Sequence, residues 1–400
     1  MDSSDAAASP SPASTPTDAL FTPRFWLACA VHFTGAMGAS FYILFPLFIR
    51  QLGGSEITIG IYTAVAGAAA VLARLPVGRF LDTQGRWRVL AAAGLLHAIS
   101  WLGFVWVDRL GGAFTLLVIA HGIAGGSLFA GYFTYASDIT PVTRRSEGIA
   151  MFGIWGMLPN GLGPALGEFL IARGGFQPFF LTATALALLS LGLSLFLPET
   201  VLGSTPSASD VDGADDRPPY RSLLPLLITT FMFGAAINSV FTFLAPFAYT
   251  QGRGSVGGFF LTYSLSAVAV RVLTGRLADA VGLYRVLIPS LLLLAVGVAL
   301  VPHVARTLPL IAVGMMCGAG HGYSFPILSA LAVERISAAH RGRVMSWFTA
   351  MFDLGTTLAN PALGAIAEWA GYVPMFSTAS LGLALTTVAF WRSAPPRAKR

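Results

Sequence analysis

The stretch Arg74-Leu-Pro-Val-Gly78-Arg79-Phe-Leu-Asp82-Thr-Gln-Gly85, followed by Arg88, returns 197 residues later as Arg271-Val-Leu-Thr-Gly275-Arg276-Leu-Ala-Asp279-Ala-Val-Gly282, followed by Arg285. The same offset carries Arg144 to Arg341, Pro164 to Pro361 and Gly167 to Gly364. Identities that accumulate at one spacing mark a duplication whose unit is about half the chain, the arrangement from which many membrane bundles are built. Each copy closes one long apolar run and opens the next.

Outward from these loops the chain is dominated by apolar runs. Of its 400 residues 55% are hydrophobic and 10% charged, whereas water-soluble domains carry roughly a quarter charged residues. A membrane-spanning helix needs about 20 mainly apolar residues. Twelve runs qualify: Phe25 to Ile49, Ile57 to Leu81, Val89 to Val107, Ala113 to Ala136, Gly148 to Ile171 and Phe176 to Leu197, then Leu223 to Tyr249, Gly257 to Ala278, Val286 to Val304, Leu308 to Val333, Val344 to Ala367 and Tyr372 to Trp391. The many Gly and Pro inside them argue against helix in water but are tolerated where neighbouring helices re-satisfy the backbone. The fold class is therefore an all-α membrane protein of twelve helices in two pseudo-symmetric six-helix halves. Its expected divisions are a disordered tail 1–24, a first half 25–197, a polar linker 198–222, a second half 223–391 and a basic tail 392–400.

An even number of spans puts both termini on one side. The loops and tails of that side hold Arg79, Arg86, Arg88, Arg144, Arg145, Arg276, Arg285, Arg341, Arg343 and several more, while the opposite loops hold only Arg50, Arg109, Arg173, Arg253 and Arg306. By the positive-inside rule the termini and linker are cytoplasmic, in the cell (inner) membrane. The formal charge of +6 is thus a matter of topology. The arginines form no basic stripe beside aromatics, so no nucleic acid partner is expected. Cys29 and Cys317 both lie inside apolar runs, which leaves no disulfide framework and no metal-ligand spacing.

From Gly78 to Arg88 the loop carries a Gly, an Asp four residues on, then Gly85-Arg86 and a further Arg88; Gly275, Asp279, Gly282 and Arg285 echo it in the second half. With these loops and twelve spans the chain resembles the major facilitator superfamily over nearly its whole length. It departs from that family's loop at Thr83 and Trp87, where basic residues are usual. The resemblance implies that Asp82 faces the start of the eleventh helix and helps lock an inner gate; the alternative is that the arginines only anchor headgroups. The fifth run contains Gly161-Leu-Gly163-Pro164-Ala-Leu-Gly167-Glu168, similar to the glycine-proline motif of drug/proton antiporters, with Glu168 where a second Gly is usual. Small residues there allow close helix approach and Pro164 can bend the helix. Asn360-Pro361-Ala-Leu-Gly364 is a partial second copy, which fits a packing role equally well.

Ionisable side chains at mid-bilayer cost on the order of 3 kcal/mol, so each demands a reason. Arg74 and Arg271 stand eight positions before Asp82 and Asp279, about 12 Å from that end of their helices. They either face one another across a central cavity or snorkel to a headgroup. Asp353 lies nine residues into the eleventh run, about 14 Å deep, and is either a proton carrier or a structural partner for an arginine. His32, His97, His121 and His321 also fall within spans; His121 and His321, with His32, are coupling candidates against a packing role, and Asn160 and Asn238 can offer neutral hydrogen bonds.

An ATP-driven pump needs a phosphate-loop lysine, and the only lysine is Lys399 in the tail. Gly252-Arg-Gly254-Ser-Val-Gly257 has dinucleotide-loop spacing but follows no strand, and no nucleophile constellation supports an enzyme. A receptor or channel does not explain a duplicated gate loop. What remains is a secondary transporter of a small molecule, without cofactor and driven by a proton gradient, expected to work as a monomer in the lipid bilayer. Export of a small organic molecule is the leading expectation. Uptake of a small anion held by Arg74 and Arg271 is the alternative.

Overall fold

With no water in the bilayer core, each apolar run must close its backbone hydrogen bonds within itself, and helix is the only way for a single segment to do so. The computed structural model describes residues 19–200 and 220–393, apart from 253, 275, 276, 305, 335 and 337. Twelve helical segments follow one another. They are α1 Pro23–Gln51, with a short 3₁₀ turn at Phe41–Leu44; α2 Glu56–Gln84; α3 Arg86–Trp106; α4 Gly112–Ile139; α5 in two pieces, Arg145–Met157 and Pro159–Gly174; and α6 Phe176–Ser194. The second half gives α7 Tyr220–Gln251, α8 Val256–Thr274, α9 Leu283–His303, α10 Thr307–Val333, α11 Ala338–Ala370 and α12 Tyr372–Ser393, with a short helix Leu277–Val281 between α8 and α9. Among the described residues nine of the segments are long and apolar enough to cross a bilayer by length and composition alone. Most of the expected linker and tails lie outside the described residues.

Two expectations change. The eleventh helix begins at Ala338 rather than Val344. Helix continuation depends on backbone bonding, not hydropathy, so His340, Arg341 and Arg343 extend it beyond the apolar run. Asp353 is consequently at its middle, about 22 Å from its start. The fifth helix is interrupted at Leu158, just before Pro159, whereas Pro164 lies inside the continuous piece Pro159–Gly174. A proline is at home in a first helical turn, where its missing N–H costs nothing.

The halves use the same packing scheme. In the first, α1 lies on α6, α2 on α4, and α3 on both α4 and α6; in the second, α7 lies on α12, α8 on α10, and α9 on both α10 and α12. Glycines set the closest approaches. A methyl group on Gly122 would stand 2.2 Å from the Ala66 carbonyl, and one on Gly318 would stand 2.0 Å from that of Tyr263. Helix backbones therefore touch, and dispersion over that contact replaces a hydrophobic drive that lipid does not provide. The gate loops turn on Gly85 and Gly282, with φ of 98° and 102°, a region open mainly to glycine.

A dense aromatic core fills one end of the first half. Phe45 sits 4.7 Å from Phe104 and 5.7 Å from Phe114, beside the fully buried Trp101, Phe179 and Phe180. Outward-facing leucines such as Leu75, Leu273 and Leu385 are largely exposed, an apolar jacket that only lipid satisfies. Between the halves α2 packs on α11 and α5 on α8. These two contacts are partners under the duplication and form the seam. Below, the end carrying residue 19 and the Gly85 and Gly282 loops is the terminal end, and the other is the distal end.

Candidate functional site

The seam is where two halves meet, and a series of polar contacts runs along it. At the distal end Glu168 of α5 accepts hydrogen bonds from the first turn of α8: Ser255 Oγ at 2.6 Å, Gly257 N at 3.0 Å and Val256 N at 3.2 Å. Glu368 of α11 accepts from Ile57 N of α2 at 3.0 Å. Arg50 pairs with Glu56 and donates to the Tyr372 hydroxyl across the seam at 3.2 Å. A cleft of about 400 Å³ opens beside Glu168, walled by Leu44, Leu47, Ala245, Ala248 and Tyr249 among others.

Deeper in, Asn360 of α11 donates to Thr63 of α2 at 3.1 Å, and Ser264 of α8 donates to the Met157 carbonyl of α5. A methyl group on Gly60 would meet the Asn360 carbonyl at 2.4 Å, and one on Gly161 the backbone of α8 at 2.9 Å, so both crossings are glycine-close. The innermost polar contact across the seam is the ion pair between Arg74 of α2 and Asp353 of α11. The Asp353 side chain is 16% exposed and that of Arg74 34%, and the guanidinium also lies over the Phe129 ring at 5.6 Å. Arg74 and Asp353, picked out separately in the sequence, are thus one site.

Arg271 has a different setting from its duplicate. Its Nε donates to the Gly322 carbonyl of α10 at 3.1 Å, and among the described residues neither terminal nitrogen has a protein partner. The Tyr263 hydroxyl, two turns away on α8, is bonded to His321 Nδ1, with Phe233 against the imidazole at 5.6 Å. The expected pairing of Arg74 with Arg271 across a cavity gives way to separate partners, Asp353 for one and the α10 backbone for the other. Asn238 of α7 donates to the Thr356 carbonyl one turn beyond Asp353. Asn160 is half-buried near the α5 interruption.

The other histidines are built into the first half. His121 stacks on Tyr42 at 4.7 Å, lies 4.9 Å from His97 and bonds Ser100 through Nδ1. Trp101 Nε1 donates to His97 Nε2 at 3.1 Å, so the proton of His97 sits on Nδ1, which is buried without a partner, as is the Tyr42 hydroxyl. His32 stacks on Phe152 at 4.4 Å, with Tyr132 and Phe133 around it.

In the gate loop Asp82 gives its carboxylate to Arg86 at 2.8 Å, and Arg86 reaches Asp138 of α4 at 2.9 Å. Glu199 accepts from Arg86 N at 2.8 Å and closes the start of α3. Among the described residues Asp82 makes no bond to α11, and its side chain is 60% exposed. Gly78 has open space around it, Arg88 lies over Trp87 at 5.9 Å, and Arg285 is exposed. Gly275 and the Asp279 side chain lie outside what the structure describes. The glycine-proline motif of α5 faces its own half: Gly163 abuts Ser40 of α1, Gly167 abuts Leu44 and Phe179, and Pro164 is buried. The opposite half is met by Gly161, Ala165 and Glu168.

Residues the sequence did not mark as site candidates are Glu56, Arg50, Glu368, Asn360, Tyr263 and Asp138. Most lie near helix ends or are neutral, so hydropathy gives them no prominence. The signal that could have found Glu368 is its place in the last turn of an apolar helix, where the helix's own dipole disfavours an acid.

Two six-helix bodies joined along two glycine-close crossings, with a part-buried ion pair at the seam, are the frame of a membrane transporter. The chain belongs to the Major Facilitator Superfamily, whose model matches residues 26–262 and again 226–400. It is 26% identical to the multidrug resistance protein MdtG of Dickeya zeae over 366 residues, 85% of this chain and 86% of that one. It is 21% identical to the staphylopine export protein of Staphylococcus aureus, over 89% of this chain and 92% of the other. The crystal structure of the nucleoside transporter NupG superposes with a TM-score of 0.76 at 14% identity, covering 93% of this chain and all of that one. The protein is accordingly a multi-pass membrane transporter and not an enzyme.

Proposed function

We propose that the protein exports a small organic molecule by alternating access, in exchange for protons, with termini in the cytoplasm and the distal end outside. The observation that carries this reading is the Arg74–Asp353 ion pair, which ties α2 of one half to α11 of the other at the middle of α11. A carboxylate that is charged only while it holds an arginine across the seam is a switch: protonation removes the attraction, and the halves lose their innermost tie. Among the described residues polar bonds across the seam run from the distal end to this pair, and Asp82 is turned to Arg86, which supports a state closed at the distal end. Two relatives bear names of export or drug-resistance proteins, which agrees with the direction. The distribution of arginines supports the orientation.

A second reading, uptake of a small anion, draws on the terminal nitrogens of Arg271, which no protein group engages among the described residues. Arg74 supports it less, since Asp353 already neutralises it. The test is accumulation of candidate substrates in cells with and without the protein at two external pH values. Lower accumulation of neutral or cationic compounds, deepened by external acid, is expected. Higher accumulation of anions would favour the second reading, and no difference for any compound class would remove both.

A further inference from the structure

We propose that Glu168 and Glu368 are the two latches of the outer gate, each a helix cap supplied in trans by the opposite half; this rests on the alternating-access reading above. A helix leaves its first four N–H groups without intrahelical partners. In α8 the Ser255 hydroxyl accepts from Gly258 N at 3.0 Å, and in α2 the Ser55 hydroxyl accepts from Thr58 N at 3.4 Å, so each helix caps part of its own first turn. Further donors are met from across the seam. Val256 N and Gly257 N go to Glu168, and Ile57 N goes to Glu368, while the Ser255 hydroxyl also donates to Glu168.

The two caps are alike without being copies in register. The repeat offset of 197 carries Glu168 to Ala365 and Ser55 to Gly252, whereas Glu368 and Ser255 each stand three residues farther on, so each half exchanges a carboxylate for a serine-led helix start through residues of its own. Their placement is costly without that exchange. Glu368 is in the last turn of α11, where its own helix dipole repels a negative charge, and it gains only from the positive start of α2. Close backbones hold the geometry: a methyl group on Gly257 would lie 2.5 Å from Ala165 Cα, and one on Gly364 would lie 2.4 Å from the Glu56 carbonyl. Parting the halves at the distal end uncaps α2 and α8 together. The carboxylates therefore weight the balance between the outward-closed and outward-open states, and the cleft beside Glu168 lets water reach one latch first.

The experiment places a reporter cysteine at Met157, eleven residues below Glu168 and about 16 Å deeper along α5. Native Cys29 and Cys317 are buried, and the protein lacking the reporter serves as the blank. A membrane-impermeant maleimide is applied to right-side-out and to inside-out vesicles. Glu168→Gln or Glu368→Gln is expected to raise the ratio of outside to inside labelling about tenfold, the change that about 1.4 kcal/mol gives, and the double variant is expected to raise it further. Ser255→Ala removes one donor and no charge, and is expected to move the ratio the same way by a smaller factor. A merely structural role would lower expression or raise labelling from both sides without moving the ratio. Should wild type label from both sides while the double variant and Ser255→Ala leave the ratio unchanged, the latch is wrong and alternating access stands. Labelling of wild type from one side only, with substrate present or absent, would overturn alternating access and the latch with it.

Discussion

Replacing Asp353 with Asn keeps the size of the side chain and its ability to hydrogen-bond, but removes the charge that holds Arg74 across the seam. The pair is neither fully buried nor free, at 16% and 34% side-chain exposure. Surface pairs contribute about 0–1 kcal/mol and breaking a buried pair costs about 3–5 kcal/mol, so about 1–3 kcal/mol is the fitting range here. That corresponds to a shift of roughly five- to 160-fold in the balance of states. The larger effect is on coupling. A gradient of one pH unit supplies about 1.4 kcal/mol per proton, or a tenfold accumulation ratio, and a group that no longer titrates cannot draw on it. In vesicles containing purified Asp353→Asn, substrate counterflow is expected to persist, while accumulation driven by an imposed pH gradient falls to the equilibrium ratio. Arg74→Gln alone leaves a buried carboxylate without its cation. Combining it with Asp353→Asn is expected to cost less than the sum of the two single changes, because both act on one interaction. pH-driven accumulation at wild-type level in Asp353→Asn would refute the reasoning and move the proton to another carboxylate.

Three further outcomes are expected. Cysteines at Ser255 and Asp108 should react with an impermeant reagent added outside intact cells, and one at Thr83 only after permeabilisation; the reverse pattern would invert the orientation. Asp82→Asn should leave membrane insertion intact, since the exposed pair with Arg86 contributes only about 0.3–0.5 kcal/mol, yet should lower transport by disfavouring the state in which the loop closes on α11. Transport at the wild-type rate with normal expression would show the loop to be without mechanism here. Arg271→Gln should raise the apparent substrate constant more for anionic than for neutral compounds, and Arg74→Gln should affect both alike, because Asp353 already balances the charge of Arg74 while Arg271 has no acidic partner among the described residues. Equal losses for both variants and both classes would remove the anion reading.

The duplication and the spans were legible because they rest on properties that lipid imposes residue by residue: long apolar runs, and charge confined to loops. Arg74 and Asp353 stood out for the same reason, as charges in the wrong solvent. Which arginine takes Asp353 was not legible. Arg74 and Arg271 are equivalent in the repeat, and only the packing of α2 on α11 separates them. Glu168 was visible only as a departure from a glycine motif, since its role depends on the start of α8, some 90 residues on in the sequence. The motif glycines Gly163 and Gly167 carried a clear signal of close packing, but periodicity does not say which neighbour a small face meets. Helix ends were least legible at α11, where charged residues continue a helix that hydropathy ends.

The exchanged caps also act as rulers. From Ser55 to the turn at Gly85 is 30 residues, and from Ser255 to the matching turn at Gly282 it is 27. Between a helix cap at one end and a glycine turn at the other, the second stretch has three residues fewer than the first, a difference worth about 4.5 Å of helix, nearly one turn. The two halves are therefore levers of unequal arm. A rocking motion that swings both by the same angle displaces their inner tips by different distances, so the gate loop hung from α2 travels farther than the one hung from α8. The wider stroke belongs to the half that carries Arg74. Duplication made the machine in two copies, and three residues put them out of step.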